Sequence, residues 1–232
     1  MTVLAKVEGL FIGAARDRWP DRPRSAIAKQ AVEGSIFVTR TGLRGDEQAD
    51  TRAHGGPEKA IHHYPADHLA GWRQEMPELA ERIRPGGFGE NLSTTGVTEE
   101  DLCIGDILTL GTARIQVSHG RQPCWKLNAH MQSETLALRF QKTGRTGWYY
   151  RVLEEGEVRV GDDLALIERR NPDWPLARAI AARFDPRLAS EVAAELAGLE
   201  DLAGVWRDAF QRKIDPAFKE DLASRLLGPG GG

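Results

Sequence analysis

A change of pattern at Asn171 to Pro175, the run NPDWP, constrains the fold more than any other feature of the chain. Upstream, from Thr2 to about Ile167, short β-rich runs alternate with glycine-containing turns: Val3 to Ile12, Ser35 to Thr39, Ile107 to Leu110, Arg114 to Ser118, Trp148 to Leu153 and Asp163 to Ile167. This spacing predicts a β-barrel or sandwich. IGDILTLG from Ile104 and VGDDLALI from Val160 share a Gly-Asp turn followed by an alternating apolar strand, and are expected to pair. Helical interruptions are expected at Ala66 to Ile83 and after Ser133, where SETLALRF places a polar residue before apolar positions at helical spacing. The two prolines of NPDWP discourage continuous regular structure, so a boundary is placed there. Beyond it, LARAIAARF, PRLASEVAAELAGL and DLAGVWRDAFQRKI are Ala/Leu-rich with a period near that of a helix. The expected architecture is mainly β with interspersed helices over residues 1–170, followed by a small three-helix appendage over 175–228. The terminal GPGGG is expected to be flexible.

Composition narrows the function classes. With 232 residues and 41% hydrophobic content the chain can bury a substantial core. Basic and acidic residues, 31 against 34, are mixed along the sequence and give a net charge of -3, so no global basic field exists to attract nucleic acid or anionic lipid. The start has no positive leader followed by a long apolar run, and no later segment approaches bilayer-spanning length. A cytoplasmic protein without membrane or nucleic-acid partners is the expectation. Only two cysteines occur, Cys103 and Cys124, without CxxC spacing, which argues against a disulfide framework or structural zinc.

Cys124 lies in RQPCWKLN, Arg121 to Asn128, where proline fixes the approach and two cations stand within three residues of the sulfur. Positive charge favours the thiolate, which is both a nucleophile and a soft ligand for a metal centre already bearing sulfur. Cys103, after acidic residues on a strand pattern, is assigned to the core or its edge. A second cluster, HGGPEKAIHHYP from His54, has a Gly-Gly-Pro turn that lets backbone amides approach a ligand and a Lys59 able to meet an anion. Its histidines, His54, His62 and His63, with His68 beyond, match neither HExxH nor a finger pattern, so a protein-only zinc site is disfavoured. His62 and His63, adjacent on a strand, point to opposite faces, so at most one faces a shared pocket. A third feature, GGFGENLSTTG from Gly86, offers Asn91, Ser93 and Thr94 as hydrogen-bonding side chains, but is neither a P-loop nor a dinucleotide fingerprint. The charged run GLRGDEQADTR from Gly42 reads as solvated surface. Of Trp148, Tyr149 and Tyr150, one face is expected in the core and the other beside a pocket.

Taken together, GLRGDEQAD, HGGPEKAIHHYP, FGENLSTTG, IGD and RQPCWKLN resemble, in order and spacing, the YiiM-type MOSC proteins, a group related to the C-terminal domain of molybdenum cofactor sulfurase. The resemblance spans Ser25 to Leu166, and the helices that follow are similar to the group's three-helix appendage. It implies a MOSC-type β-barrel that binds the molybdenum cofactor (molybdopterin), with Cys124 as the protein ligand to molybdenum. It further implies reduction of small N-hydroxylated compounds such as 6-hydroxylaminopurine, electrons from a separate reductase, and a homodimer. The two cysteines cannot ligate a usual iron-sulfur cluster, and no flavin motif is present, so the electron donor must be external. Mapped onto this chain, Lys59 and Arg121 are the first choices for anion-binding cations, with Asn91, His63, Lys126 and Asn128 next; His63 is the expected proton donor. Two other readings stay open. One is a cofactor or sulfur carrier holding a persulfide on Cys124; the other is a thiol hydrolase pairing Cys124 with His119 or His130, for which no orienting carboxylate is apparent.

Overall fold

The computed structural model describes residues 1–50, 55–221, 225–226 and 228. Nine strands form the larger sheet: β1 (Thr2–Lys6), β2 (Gly9–Ile12), β3 (Gln30–Ala31), β6 (Ile61–Pro65), β7 (Leu92–Thr94), β8 (Ile107–Leu110), β9 (Ala113–Gly120), β10 (Trp148–Glu154) and β12 (Asp163–Glu168). Their order is β1-β12-β8-β9-β10-β6-β7-β2-β3, antiparallel except for the parallel pair β6 and β7. A smaller sheet pairs β11 (Gly156–Arg159), β4 (Ser35–Thr39) and β5 (Gly42–Leu43). The two Gly-Asp strands do pair, β12 against β8 with Leu164 opposite Leu110 and Leu166 opposite Leu108.

The expected closed barrel is not what the strand pairing shows. Among the described residues no ladder joins β1 to β3, so the hydrogen-bonded sheet is open and the fold is mixed α/β. The first strand run also departs from expectation. It was expected to continue from Val3 to Ile12, but it breaks at Val7 and Glu8: the first half pairs with β12, the second with β7. Val7 N donates to Asp162 O and Glu8 N to Ser93 O, so the two halves serve opposite ends of one sheet.

Period-two burial in β10 separates the two faces of the sheet. Trp148, Tyr150 and Val152 are buried in the main core with Ile61, Val117 and Leu164, while Tyr149 and Arg151 point the other way. A second core lies where α1 (Asp67–Glu75), α2 (Trp125–Met131) and α3 (Leu136–Thr143) cover the sheet. There Trp72 stacks on Phe140 at 4.9 Å, and Tyr64 Oη accepts from Trp72 Nε1 at 2.6 Å. The expected single helix from Ala66 to Ile83 stops at Glu75 because Pro77 follows; a separate 3-10 turn covers Pro77–Leu79.

The three downstream helices are present: α4 (Leu176–Phe184), α5 (Ser190–Ala197) and α6 (Gly204–Lys213). Leu176, Ala179, Ile180, Leu196, Trp206 and Phe210 join the main core, so these helices complete the sheet's packing. A side-chain carbon on Gly120 would lie 2.3 Å from Ile180 Cγ1, so a glycine at the end of β9 is what lets α4 approach. No helix among the described residues is long and apolar enough to cross a membrane.

Candidate functional site

The sequence that follows β9 turns sharply into α2, and the turn delivers Cys124. Its backbone is extended (φ -138°, ψ 170°), with its carbonyl accepting from Leu127 N at 3.0 Å as the helix begins. Arg121 N is held by Gly147 O at 2.9 Å, and Arg121 Nη1 donates to Phe88 O at 2.7 Å, which fixes a nearly buried guanidinium beside the thiol-bearing turn. Cys124 itself is half-buried.

The turn opens on a cleft of about 690 Å³, part of it open to solvent. Cys124, Lys59, Arg121, Lys126 and Asn91 all line it, bringing together five of the seven residues singled out from sequence. Lys29, Asp46, His62 and Tyr149 line it as well. Lys59 comes from the 3-10 turn Pro57–Lys59, which is anchored by its neighbour. Glu58 O accepts from Ser118 Oγ at 2.6 Å, and the Glu58 carboxylate accepts from Arg151 Nη2 at 2.9 Å and from Gly204 N, the first residue of α6, at 2.8 Å. The helical segment thus buttresses the turn that presents Lys59. Burial pushes the Lys59 ammonium below its usual range, with Glu58, Asp50 and Cys124 pulling it back.

Asp46 organises the opposite wall. Its carboxylate takes both hydrogen bonds of a buried pair with Lys29 Nζ (2.6 and 2.7 Å), one from Gly13 N (2.7 Å) and one from Asn91 Nδ2 (2.8 Å). Asn91 Nδ2 also donates to Phe11 O at 3.1 Å, and its Oδ1 accepts from His62 N at 3.1 Å. Asn91 therefore lines the cleft as a strut whose side chain is already committed. Gly89, at φ +82°, approaches Ile27 so closely that a side-chain carbon would stand 2.8 Å from Ile27 Cγ1; this turn brings the loop against the cleft wall.

His63 and Asn128 are not brought to the cleft. His63 lies on the opposite face of β6 from His62, fully buried, with Nδ1 3.0 Å from Tyr150 Oη and Nε2 2.9 Å from Thr94 Oγ1. Both ring nitrogens are used inside the core, and burial pushes its pKa from the usual 6.5 down to about 3. Asn128 is on α2 and ties α3 in place: Oδ1 accepts from Ala137 N at 2.7 Å and Nδ2 donates to Glu134 O at 2.9 Å. Ser93 and Thr94 are buried in β7 away from the cleft lining. His119 is buried with Nδ1 3.0 Å from Ser118 Oγ, and His130 sits in the last turn of α2; neither lines the cleft. His54 lies outside the described residues. Among the described residues, no three His, Cys, Asp or Glu side chains come together as a metal-ion set.

His63 makes a pH prediction. The folded protein holds it neutral, whereas the unfolded chain protonates it below about 6.5, so stability present above that pH is lost as pH falls toward 3. Between pH 7 and pH 5 this one group should remove about 2 kcal/mol. Urea unfolding of wild type and His63→Gln at both pH values checks it: the variant, though less stable at pH 7, should lose about 2 kcal/mol less on acidification. Equal losses would show that His63 titrates normally in the fold.

Residues missed from sequence have identifiable causes. Asp46 sits in the charged run read as surface, yet its side chain is 2% exposed. The glycines flanking that run signalled a turn, and a turn can fold its carboxylate inward as readily as outward. Lys29 carries no motif signal. Tyr149 takes the pocket-side place expected on its strand, and pairing adds that His62 is its cross-strand partner, with ring centroids 5.0 Å apart.

Fold and site together define a mixed α/β protein with a half-buried thiol among several cations in one cleft, buttressed by a helical segment. Known proteins are similar to the chain in sequence and fold. The MOSC domain model matches residues 50–165, and the YiiM-like, 3-alpha helix domain model matches residues 174–215. Protein YiiM of Escherichia coli (strain K12) is 39% identical over 210 residues, covering 90% of this chain and 93% of that protein. A protein named Reductase from Gibberella moniliformis is 43% identical over 163 residues, 68% of this chain but 29% of that longer protein. The crystal structure of YiiM from Escherichia coli superposes with a TM-score of 0.80 at 32% identity, covering 97% of this chain and 98% of that one. The chain belongs to the MOSC-domain family and is of the YiiM type.

Proposed function

We propose that this chain is a molybdenum-cofactor-dependent reductase of small N-hydroxylated compounds, 6-hydroxylaminopurine among them, fed electrons by a separate reductase. The observation that carries this reading is the convergence of Cys124 with Lys59, Arg121 and Lys126 on one cleft. MOSC membership and the relative named Reductase support the oxidoreductase class.

The donor set fits the cofactor. A cysteine sulfur is a soft ligand suited to a metal already held by sulfur, and the cations suit a phosphate and oxo groups. Of the three carboxylates that line the cleft among the described residues, Asp46 is neutralised by Lys29 and turned into the wall, Glu47 accepts from Ala15 N at 2.8 Å, and Asp50 offsets part of the charge of Lys59. Cys124 would hold the metal, while Lys59, Arg121 and Lys126 would neutralise the anionic portion. Bound there, the cofactor supplies two-electron reduction: R–NHOH, two electrons and two protons give R–NH₂ and water.

Proton delivery falls to groups that line the cleft, which transfers the role expected of His63 elsewhere. His62 is kept neutral by burial and by Arg121, so it holds no proton to spare as an imidazolium near neutral pH. Tyr149, whose pKa burial raises, stays protonated and can donate a hydrogen bond to the departing oxygen. Lys59, whose hold on its proton desolvation weakens, delivers one of the two protons and is recharged from solvent on the open side of the cleft, which also supplies the other.

The test is expression in a host that makes the cofactor, followed by elemental analysis for molybdenum and a 6-hydroxylaminopurine assay with a reduced viologen dye as electron source. Near-stoichiometric metal and formation of the amine support the reading. Folded protein that carries sulfane sulfur on Cys124, but neither metal nor activity, overturns it in favour of a sulfur carrier.

A further inference from the structure

Beyond α6, Glu220 and Arg225 meet residues beside the turn that carries Cys124. Glu220 forms a bidentate pair with Arg183 of α4, with Arg183 Nη1 2.6 Å from Oε2 and Nη2 2.7 Å from Oε1. Arg225 donates from Nη1 to the carbonyl of Pro123, the residue just before Cys124, and from Nη2 to Gln141 Oε1 at 2.7 Å. The two guanidinium groups meet at Gln122. Its amide satisfies both when the oxygen faces them, 2.9 Å from Arg225 Nε and 3.2 Å from Arg183 Nη2. Gly228 packs against Trp125, on the other side of Cys124.

We propose that Arg225, with Arg183 and Glu220 behind it, is a positioning residue: these three side chains form a clasp that fixes Pro123–Cys124 and orients Gln122. The inference rests on Cys124 being the functional thiol of the proposed reductase. None of the three charged residues lines the cleft, so they act through Gln122, which does, and through the Pro123 carbonyl.

The physical case has two parts. With its oxygen accepting from two arginines, Gln122 has its NH₂ left to bond in the cleft, which makes it a donor among cations and reinforces anion binding. A charge-assisted bond to the carbonyl next to Cys124 restrains the backbone that aims the sulfur, and ligand geometry at metal sites depends on such outer partners. Two arginines with one carboxylate are a poor way to gain stability, because buried ion pairs recover little beyond their desolvation. Restraint of the turn is a better account of their presence.

The test uses the full chain without cofactor. Cys103 is buried, so the rate of reaction with a small neutral alkylating agent reports on Cys124. Arg225→Gln should raise that rate about tenfold, and Glu220→Gln should raise it in the same direction. Arg225→Lys, which can still reach one acceptor, should restore part of the protection. Unchanged rates in both Arg225→Gln and Glu220→Gln overturn the clasp. Labelling needs no metal, so a failed clasp is separable from a failed reductase reading: molybdenum retained with unchanged labelling rejects only the clasp.

Discussion

Cys124→Ala is expected to lose molybdenum to background and to lower hydroxylamine reduction by at least about 100-fold, since even outer-shell changes at metal sites cost 10–100-fold in affinity or activity. The loss should come from the missing ligand and not from unfolding. Cys124 is half-buried, makes no side-chain capping bond to α2, and stands at a helix boundary where alanine can adopt the same extended backbone. Urea unfolding of the variant should therefore stay within about 1 kcal/mol of wild type. Metal content per chain, measured beside pterin released from the same sample, separates two outcomes. Loss of both supports Cys124 as the residue that retains the cofactor. Full metal with full activity would place the ligand elsewhere and remove the central residue of the proposal.

The largest effect on stability is expected at Asp46. Asp46→Ala removes the partner of a buried ammonium and orphans Gly13 N and one donor of Asn91 in the same step. Lys29 and Asp46 side chains are 7% and 2% exposed, so solvent cannot take the carboxylate's place without rearrangement. Breaking a buried pair from one side costs about 3–5 kcal/mol. Desolvation already pulls Lys29 down, and without Asp46 it should hold its proton less tightly still, so the variant should recover part of its stability as pH rises. Chemical denaturation at pH 7 and pH 9 reads both effects. Lys29→Met with Asp46→Leu should cost less than Asp46→Ala alone, because no charge is then stranded. A single-variant loss below about 1 kcal/mol would show that the pair is dispensable to the cleft wall.

Much of the fold was legible because local patterns and tertiary packing agree. Trp148, Tyr150 and Val152 alternate with Tyr149 and Arg151, and burial follows that alternation. The three C-terminal helices follow from apolar spacing, and Pro77 ends α1 as proline chemistry requires. What local pattern did not reveal was partner choice. The break at Val7 and Glu8 has no strong turn signal; it arises because one strand run is recruited by two different neighbours. α2 was hidden in RQPCWKLN because a short helix begun by proline and cysteine shows too few turns for a periodicity to emerge.

At the site, Cys124, Lys59, Arg121 and Lys126 were readable because their chemistry is intrinsic to residue type and immediate neighbours. The placement of the histidines was not. His62 and His63 are chemically identical and adjacent, and which faces the cleft depends on the face that β6 turns toward Tyr150 and Thr94. Asn128, similarly, has the composition of a ligand-binding residue and the position of a helix strut. The sequence by itself determined the kinds of group available, the strand and helix periods, and the family. The tertiary structure alone decided which side chains share a cleft, because burial, cross-strand register and the return of distant segments such as Glu220 and Arg225 depend on contacts between residues far apart in the chain.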